Sequence, residues 1–216
     1  MKYSSGLWML CCIFASEVEA SCTAAAAATP AGFGTVSSSQ VYSAAQSTST
    51  PNAGLTCTPA GIEQFSSAYF KAIITSAQSG MVGPAGNVIA YTIYASNSNG
   101  HPITRGTAFD FTSFGLVGHN APSAIPLYFT TAVNNVAAGI YTETLTVQWD
   151  WYYCTATGAG NQCTSSDSGV GKISTLTVSM TVANDCTITA ANISLGSAPV
   201  VSAFTPVSQT VSVACT

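Results

Sequence analysis

The sequence predicts an all-β protein, a β-sandwich, built for an environment outside the cytoplasm. Three observations lead there: a composition almost without charge, runs of residues that alternate with the period of a strand, and an even set of cysteines behind an apolar N-terminal segment. Only 6% of the 216 residues are Asp, Glu, Lys or Arg, while 47% are hydrophobic. An average soluble protein carries about 25% charged residues. Ser, Thr, Gly, Ala and Asn fill the difference, and this much hydrophobicity argues against disorder. The four basic residues are Lys2, Lys71, Arg105 and Lys172, too few for the basic stripe that nucleic-acid binding needs.

Residues 1–20 read as a cleaved export signal. Lys2 supplies the positive start, residues 7–15 a short apolar core, and Val18-Glu19-Ala20 a small-residue cleavage site. The apolar run is too short to span a bilayer, and no later stretch reaches a spanning length. The segment beyond it carries three basic and six acidic residues and six cysteines: Cys22, Cys57, Cys154, Cys163, Cys186 and Cys215. An even count in an exported chain implies a disulfide framework, although six cysteines allow about 15 pairings. No Cys-x2-Cys pair exists, and His101 and His119 are the only histidines, so a zinc site is not expected.

Strands are expected over residues 69–74, 88–94, 125–131, 141–153 and 173–182, all rich in β-branched and aromatic side chains. Leu145, Val147, Trp149, Trp151 and Tyr153 alternate with Thr144, Thr146, Gln148 and Asp150. Leu176, Val178, Met180 and Val182 repeat the pattern, so each strand places one face on a core and one toward water. Pairing residues 142–153 with 173–183 makes a long hairpin whose tip is the Cys154–Cys163 loop. No stretch sustains a helical period. Strands at this spacing, separated by Gly, Pro, Asn and Ser, predict a sandwich.

An internal repeat divides the chain. Residues 22–58 open Cys-Thr-Ala-Ala, pass Phe33-Gly34, and close Leu55-Thr56-Cys57-Thr58. Residues 186–216 open Cys-Thr-Ile-Thr-Ala-Ala, pass Leu195-Gly196, and close Val213-Ala214-Cys215-Thr216. The repetition supports Cys22–Cys57 and Cys186–Cys215 as equivalent bridges, leaving Cys154–Cys163 as the third. It predicts one complete domain over residues 21–183 and the start of a second over residues 184–216.

The Cys22 to Cys57 segment, the strand Val88-Ile89-Ala90-Tyr91-Thr92-Ile93-Tyr94 and the strand Gly139-Ile140-Tyr141-Thr142-Glu143-Thr144-Leu145-Thr146-Val147 occur in an order that resembles the spore coat U domain. That family builds subunits of Csu-type (archaic) chaperone–usher pili. The resemblance covers residues 22–150 and implies an immunoglobulin-like sandwich lacking one strand. A periplasmic chaperone, and then a neighbouring pilin, supplies that strand by β-augmentation. Two departures refine the expectation. Only Ser21 separates the cleavage site from Cys22, leaving no strand to donate, as expected of a subunit at the fibre tip. Residues 172–183 return as a strand that can fill the domain's own groove. The second, incomplete domain would receive the neighbour's strand.

The implied role is an adhesive tip subunit that attaches cells to abiotic or host surfaces in biofilm formation. It would be exported through the periplasm of a Gram-negative bacterium with the aid of a chaperone and an outer-membrane usher. Other readings on the same scaffold are a carbohydrate-binding tip lectin and a structural coat protein without a ligand. No enzyme and no cofactor are expected. Glu63, Asp110, Glu143, Asp150, Asp167 and Asp185 are scattered singly, and no nucleophile or phosphate-loop motif appears. Asp110, Ser113 and His119 are a faint triad pattern, for which loop hydrogen bonding is the plainer reading.

Binding chemistry is expected in loops whose residues are apolar where turn tips are ordinarily polar. Gly80 to Gly86 carries Met81, Val82, Pro84 and Ala85, and a second loop carries Phe114, Leu116 and Val117. A third candidate is the uncharged stretch 155–162. Met81, Val82, Leu116 and Val117 could instead fold back to cap the sandwich. Trp149, Trp151, Tyr152 and Tyr153 are expected to be at least half core; with Tyr42 and Tyr128 they could otherwise line a sugar-binding face.

Overall fold

A computed structural model of the chain describes residues 21–58, 67–119, 121–160, 162–197, 199–203 and 205–215. The export signal read over residues 1–20, and Glu63, lie outside the described residues.

Among the described residues the chain is all-β apart from one short helix and two 3-10 turns. Its first half supplies β1 (Cys22–Ala24), β2 (Ala31–Ser37), the helix α1 (Ser38–Ser43), β3 (Ser47–Thr50), β4 (Leu55–Cys57), β5 (Tyr69–Thr75), β6 (Met81–Val82), β7 (Val88–Ile89) and β8 (Tyr91–Ser96). Then follow β9 (Gly100–Ile103), β10 (Ala108–Asp110), β11 (Leu127–Thr131), β12 (Gly139–Thr157), β13 (Cys163–Ala183), β14 (Cys186–Ala190) and β15 (Val211–Cys215). The larger sheet runs β10-β5-β12-β13-β2, with β6 and β7 attached at the start of β12. The smaller sheet runs β3-β11-β8-β9, and β1 pairs with β4 beside them.

The alternation read from the sequence decides which faces meet. Leu145, Val147, Trp149 and Tyr153 of β12, and Leu176 and Val178 of β13, are fully buried. They share one core with Ile93, Leu127 and Phe129 of the smaller sheet. The β12–β13 hairpin is longer than the residues alone suggested: its ladder continues from Gly139 opposite Val182 to Thr157 opposite Cys163. The strand expected over 88–94 is interrupted at Ala90, dividing β7 from β8.

β13 sits between β12 and β2, antiparallel to the first and parallel to the second, so both neighbours find their backbone partners within the chain. The returning arm of the hairpin, read from sequence as a strand over residues 173–182, is thus an interior strand of the larger sheet. α1, missed from sequence for want of a periodic run, is begun by a capping box. Ser37 Oγ accepts from Gln40 N at 3.3 Å and Gln40 Oε1 accepts from Ser37 N at 3.3 Å. Disulfides join Cys22 to Cys57, Cys154 to Cys163 and Cys186 to Cys215. β14 and β15 form a separate two-stranded sheet, and Ile188, Val211 and Val213 on it are exposed.

The start of β12 explains its sequence motif. Tyr141 is buried and its hydroxyl donates to the Ala137 carbonyl at 2.7 Å, a tyrosine corner four residues long. Glu143 has no exposed side-chain surface and receives both arms of the Arg105 guanidinium, at 2.5 and 3.1 Å. That guanidinium also lies 5.0 Å over the Tyr91 ring. Burial alone would push the Glu143 carboxyl up, but hydrogen bonds led by Arg105 outweigh it and hold it below the usual carboxylate range.

A carboxylate whose pKa is depressed on folding contributes stability above its unfolded value and loses it as pH falls through the folded one. Glu143→Gln strands a partly covered guanidinium and is expected to cost about 3 kcal/mol at neutral pH. In thermal melts across the acid range, the variant should lose less stability on acidification than the parent. Identical acid limbs would remove Glu143 from the account.

Candidate adhesive end of the sandwich

The sandwich has two ends, fixed by the direction of β12. At the lower end β12 begins, Val82 lies opposite Thr142, and β13 finishes at Ala183. At the upper end Phe70 lies opposite Trp151, and the loop after β10 starts with Phe111 N donating to Phe70 O at 2.9 Å. Trp151 lies nine residue steps along the strand from Thr142, so the two ends are about 30 Å apart. The two apolar loops picked out from sequence stand at opposite ends and form no common surface.

Met81 corrects the expectation directly. It is fully buried in β6, opposite Ile89, and belongs to the core rather than to a loop tip. The turn between β6 and β7 spans only Gly83 to Asn87, and the two-residue strand before it buries Met81 and leaves Val82 half-buried. Pro84 and Ala85 are exposed. The glycines here serve close packing. A Cβ on Gly83 would lie 2.4 Å from the Tyr141 ring, and one on Gly139 2.3 Å from Pro84 Cγ. This loop is the packed floor of the lower end.

The upper loop is different. Phe114 is 53% exposed and stacks on Phe109, with centroids 4.9 Å apart and planes 17° apart. His101, exposed on the neighbouring strand, lies 4.9 Å from the same ring. Leu116 and Val117 are half-buried against the core, and their amides both donate to Phe111 O, at 3.0 and 3.4 Å. The result is an aromatic ledge with an apolar base. The sequence does not single out His101 or Phe109 as partners of Phe114, because β9 and β10 bring them to it from separate strands. The only signal was the Asn99-Gly100 turn before His101, whose own φ is 56°.

Beside the ledge, β12 and β13 run on after Tyr152, the last residue paired to β5, as a two-stranded ribbon. Its turn closes with Gly158 N donating to Gln162 O at 2.8 Å. Residues 155–157 are strand, not loop, and the Cys154–Cys163 bridge clamps the projecting part. At the ribbon's base Asp167 Oδ2 accepts from Trp151 Nε1 at 3.0 Å and from Cys22 N at 2.8 Å.

The remaining candidates are scattered. Trp149, Trp151 and Tyr153 are buried, Tyr152 stacks on Tyr69 with centroids 6.3 Å apart, and Tyr42 stands exposed on α1. Trp149 Nε1 donates to the buried Ser174 hydroxyl at 2.9 Å, which in turn donates to the Ala53 carbonyl at 2.9 Å. Asp110 Oδ1 accepts from Thr112 N and Ser113 N at 3.0 and 3.1 Å, and Oδ2 faces Lys71 Nζ at 3.6 Å. Its partners are loop amides and a lysine, not His119. Among the described residues no cluster of His, Cys, Asp or Glu could hold a metal, and no helix is long and apolar enough to cross a membrane.

The family model described as Spore Coat Protein U domain matches residues 11–148 and 172–216. No curated protein matches the sequence. The chain is similar to one in the crystal structure of the CsuC–CsuE chaperone–tip adhesion subunit pre-assembly complex from archaic chaperone–usher Csu pili of Acinetobacter baumannii. That likeness has 23% identity and a TM-score of 0.56, covering 90% of this chain and 69% of that one, and it extends to the fold. The CooA pilin subunit from enterotoxigenic Escherichia coli aligns at 13% identity and a TM-score of 0.38, covering 75% of this chain and 98% of that one.

If the lower loop is packed floor, Gly83→Ala should lower stability by about 1–3 kcal/mol in urea denaturation, since its methyl enters the Tyr141 ring. Gly32→Ala, whose Cβ would meet its first neighbour at 3.9 Å, should stay within about 0.5 kcal/mol. Equal losses at the two positions would dismiss the packing explanation.

Proposed function

This chain belongs to the spore coat protein U domain family, and from that premise we propose that it is an adhesive chaperone–usher pilus subunit, placed at the fibre tip with its upper end outward. The observation that carries the reading is the exposed Phe114, stacked on Phe109 and flanked by His101, on the end of the sandwich opposite the exit of the chain into β14. An adhesin must present its contact surface away from its attachment. Here the attachment side is the lower end, where β13 finishes and Asp185 accepts from Ser39 of α1.

The chemistry suits a surface rather than a shaped ligand. Phe114, Leu116 and Val117 offer apolar area, while neither that loop nor the ribbon turn carries a charge to desolvate. Contact between many such fibre ends and a surface adds by avidity. The self-supplied β13 frees the first domain from needing a strand, so a chaperone and then a neighbouring pilin would act on residues 184–216, where Ile188 of β14 and Val211 and Val213 of β15 are exposed. In this reading the protein passes the periplasm and an outer-membrane usher to reach the surface of a Gram-negative cell, where it supports biofilm formation.

Adsorption of the full chain to hydrophobic and hydrophilic beads tests the proposal. Phe114→Ser is expected to weaken binding to hydrophobic beads by about tenfold and to leave hydrophilic beads unchanged. A Pro84→Ser/Ala85→Ser variant at the lower end should bind as the parent does. Loss of binding in the lower-end variant, or none in Phe114→Ser, would refute the assignment of the upper end.

A further inference from the structure

The outer face of the smaller sheet carries a groove with a chemistry unlike the upper ledge. It has a volume of about 410 Å³ and is formed by β3, β11 and the turn between β8 and β9. Ser47, Ser49, Asn97, Asn99, Tyr128 and Thr130 line it. Hydroxyls and amides surround a single half-buried aromatic ring. No charged residue lines it, and no Asp, Glu, Lys or Arg occurs in β3, β8, β9 or β11.

The polar groups are held in place. Ser47 Oγ and Thr130 Oγ1 lie 3.1 Å apart, and Thr130 Oγ1 donates to Asn99 Oδ1 at 2.9 Å. That bond holds the Asn99 amide oxygen and leaves the amide nitrogen available as a donor. The turn holding Asn99 is set by left-handed backbone at Ser98 and Asn99, with φ of 66° and 57°. Register places Tyr128 between Ser49 and Tyr94, so a second tyrosine continues the same face. Neither tyrosine hydroxyl has a hydrogen-bond partner among the described residues.

We propose that this groove binds a neutral carbohydrate of one to three sugar units. A pyranose presents an apolar C–H face, which packs on an aromatic ring, and a rim of hydroxyls that exchange hydrogen bonds with amides and hydroxyls. The groove supplies both. Its lack of charge selects against sialylated or phosphorylated glycans, which would lose their counter-charges on entry. The backbone of β11 is already paired on both sides, so an extended peptide has no free ladder to join over that strand. The volume falls within the ordinary range of small-ligand sites. Phe114 does not line the groove, and the inference does not depend on adhesion through that residue.

Saturation-transfer NMR with the full chain, using maltotriose, cellotriose and N,N′,N″-triacetylchitotriose as probes and 3′-sialyllactose as the charged comparison, tests it. Transfer is expected to at least one neutral trisaccharide and weaker or absent for the sialylated one. Asn99→Gly, which keeps the left-handed turn, and Ser49→Tyr, which fills the groove from an exposed strand position, should each weaken that binding by about tenfold. Phe114→Ser should leave it unchanged, which separates this site from the surface-adhesion reading. Absence of transfer from all three neutral probes, or binding indifferent to both groove variants, would overturn the proposal.

Discussion

The structure depends on one pairing constraint: β12 and β2 each need a strand between them, and the chain supplies it as β13. Without that strand, both would present unpaired backbone along an open edge, and the core would lose Leu176, Val178, Met180 and Val182 together. Buried backbone groups cannot be left without partners, so everything packed on these strands presupposes β13. The ring of Trp149 is an example. Its nitrogen is satisfied by Ser174 of β13, and Ser174 in turn holds the carbonyl of Ala53 in the loop before β4.

The two ends of the sandwich use similar residues for different purposes, and packing separates them. At the lower end, glycine and proline let the chain press against Tyr141, and Met81 sinks into the core. At the upper end, three phenylalanines gather from a strand and the loop that follows it, with Phe111 at 1% exposure, Phe109 at 9% and Phe114 at 53%. That gradient runs from core to solvent within six residues of chain. The apolar character of a loop is therefore not a sign of adhesion until its side chains have been placed.

Elements written as alternation over many residues were legible in the sequence. β5, β12 and β13 were found because side-chain period and strand period coincide over long runs, and the cysteine repeat pointed to the bridges now seen. Short strands such as β2, β3, β9 and β10 were not, since Ala31–Ser37 and Ser47–Thr50 hold mostly small polar residues whose pairing is decided by neighbours. The same limit applied to the site. Phe114 was visible as an oddly apolar loop residue, but its partners come from β9 and β10. The groove around Tyr128 is assembled from three separate segments, and none of its Ser, Thr or Asn residues is unusual where it stands in the sequence.

The length of the β12–β13 hairpin has a mechanical consequence. Its strands run the whole way from the lower end to the ribbon turn, 19 and 21 residues respectively. Tension applied between the ribbon and residue 184 lies along β13, whose final stretch from Val178 to Ala183 has β12 on one side and β2 on the other. Such a load meets the ladder in shear, where many hydrogen bonds must yield together, rather than peeling them apart one at a time. The Cys154–Cys163 bridge ties the two strands near the turn, so a pull entering at either strand is shared by both.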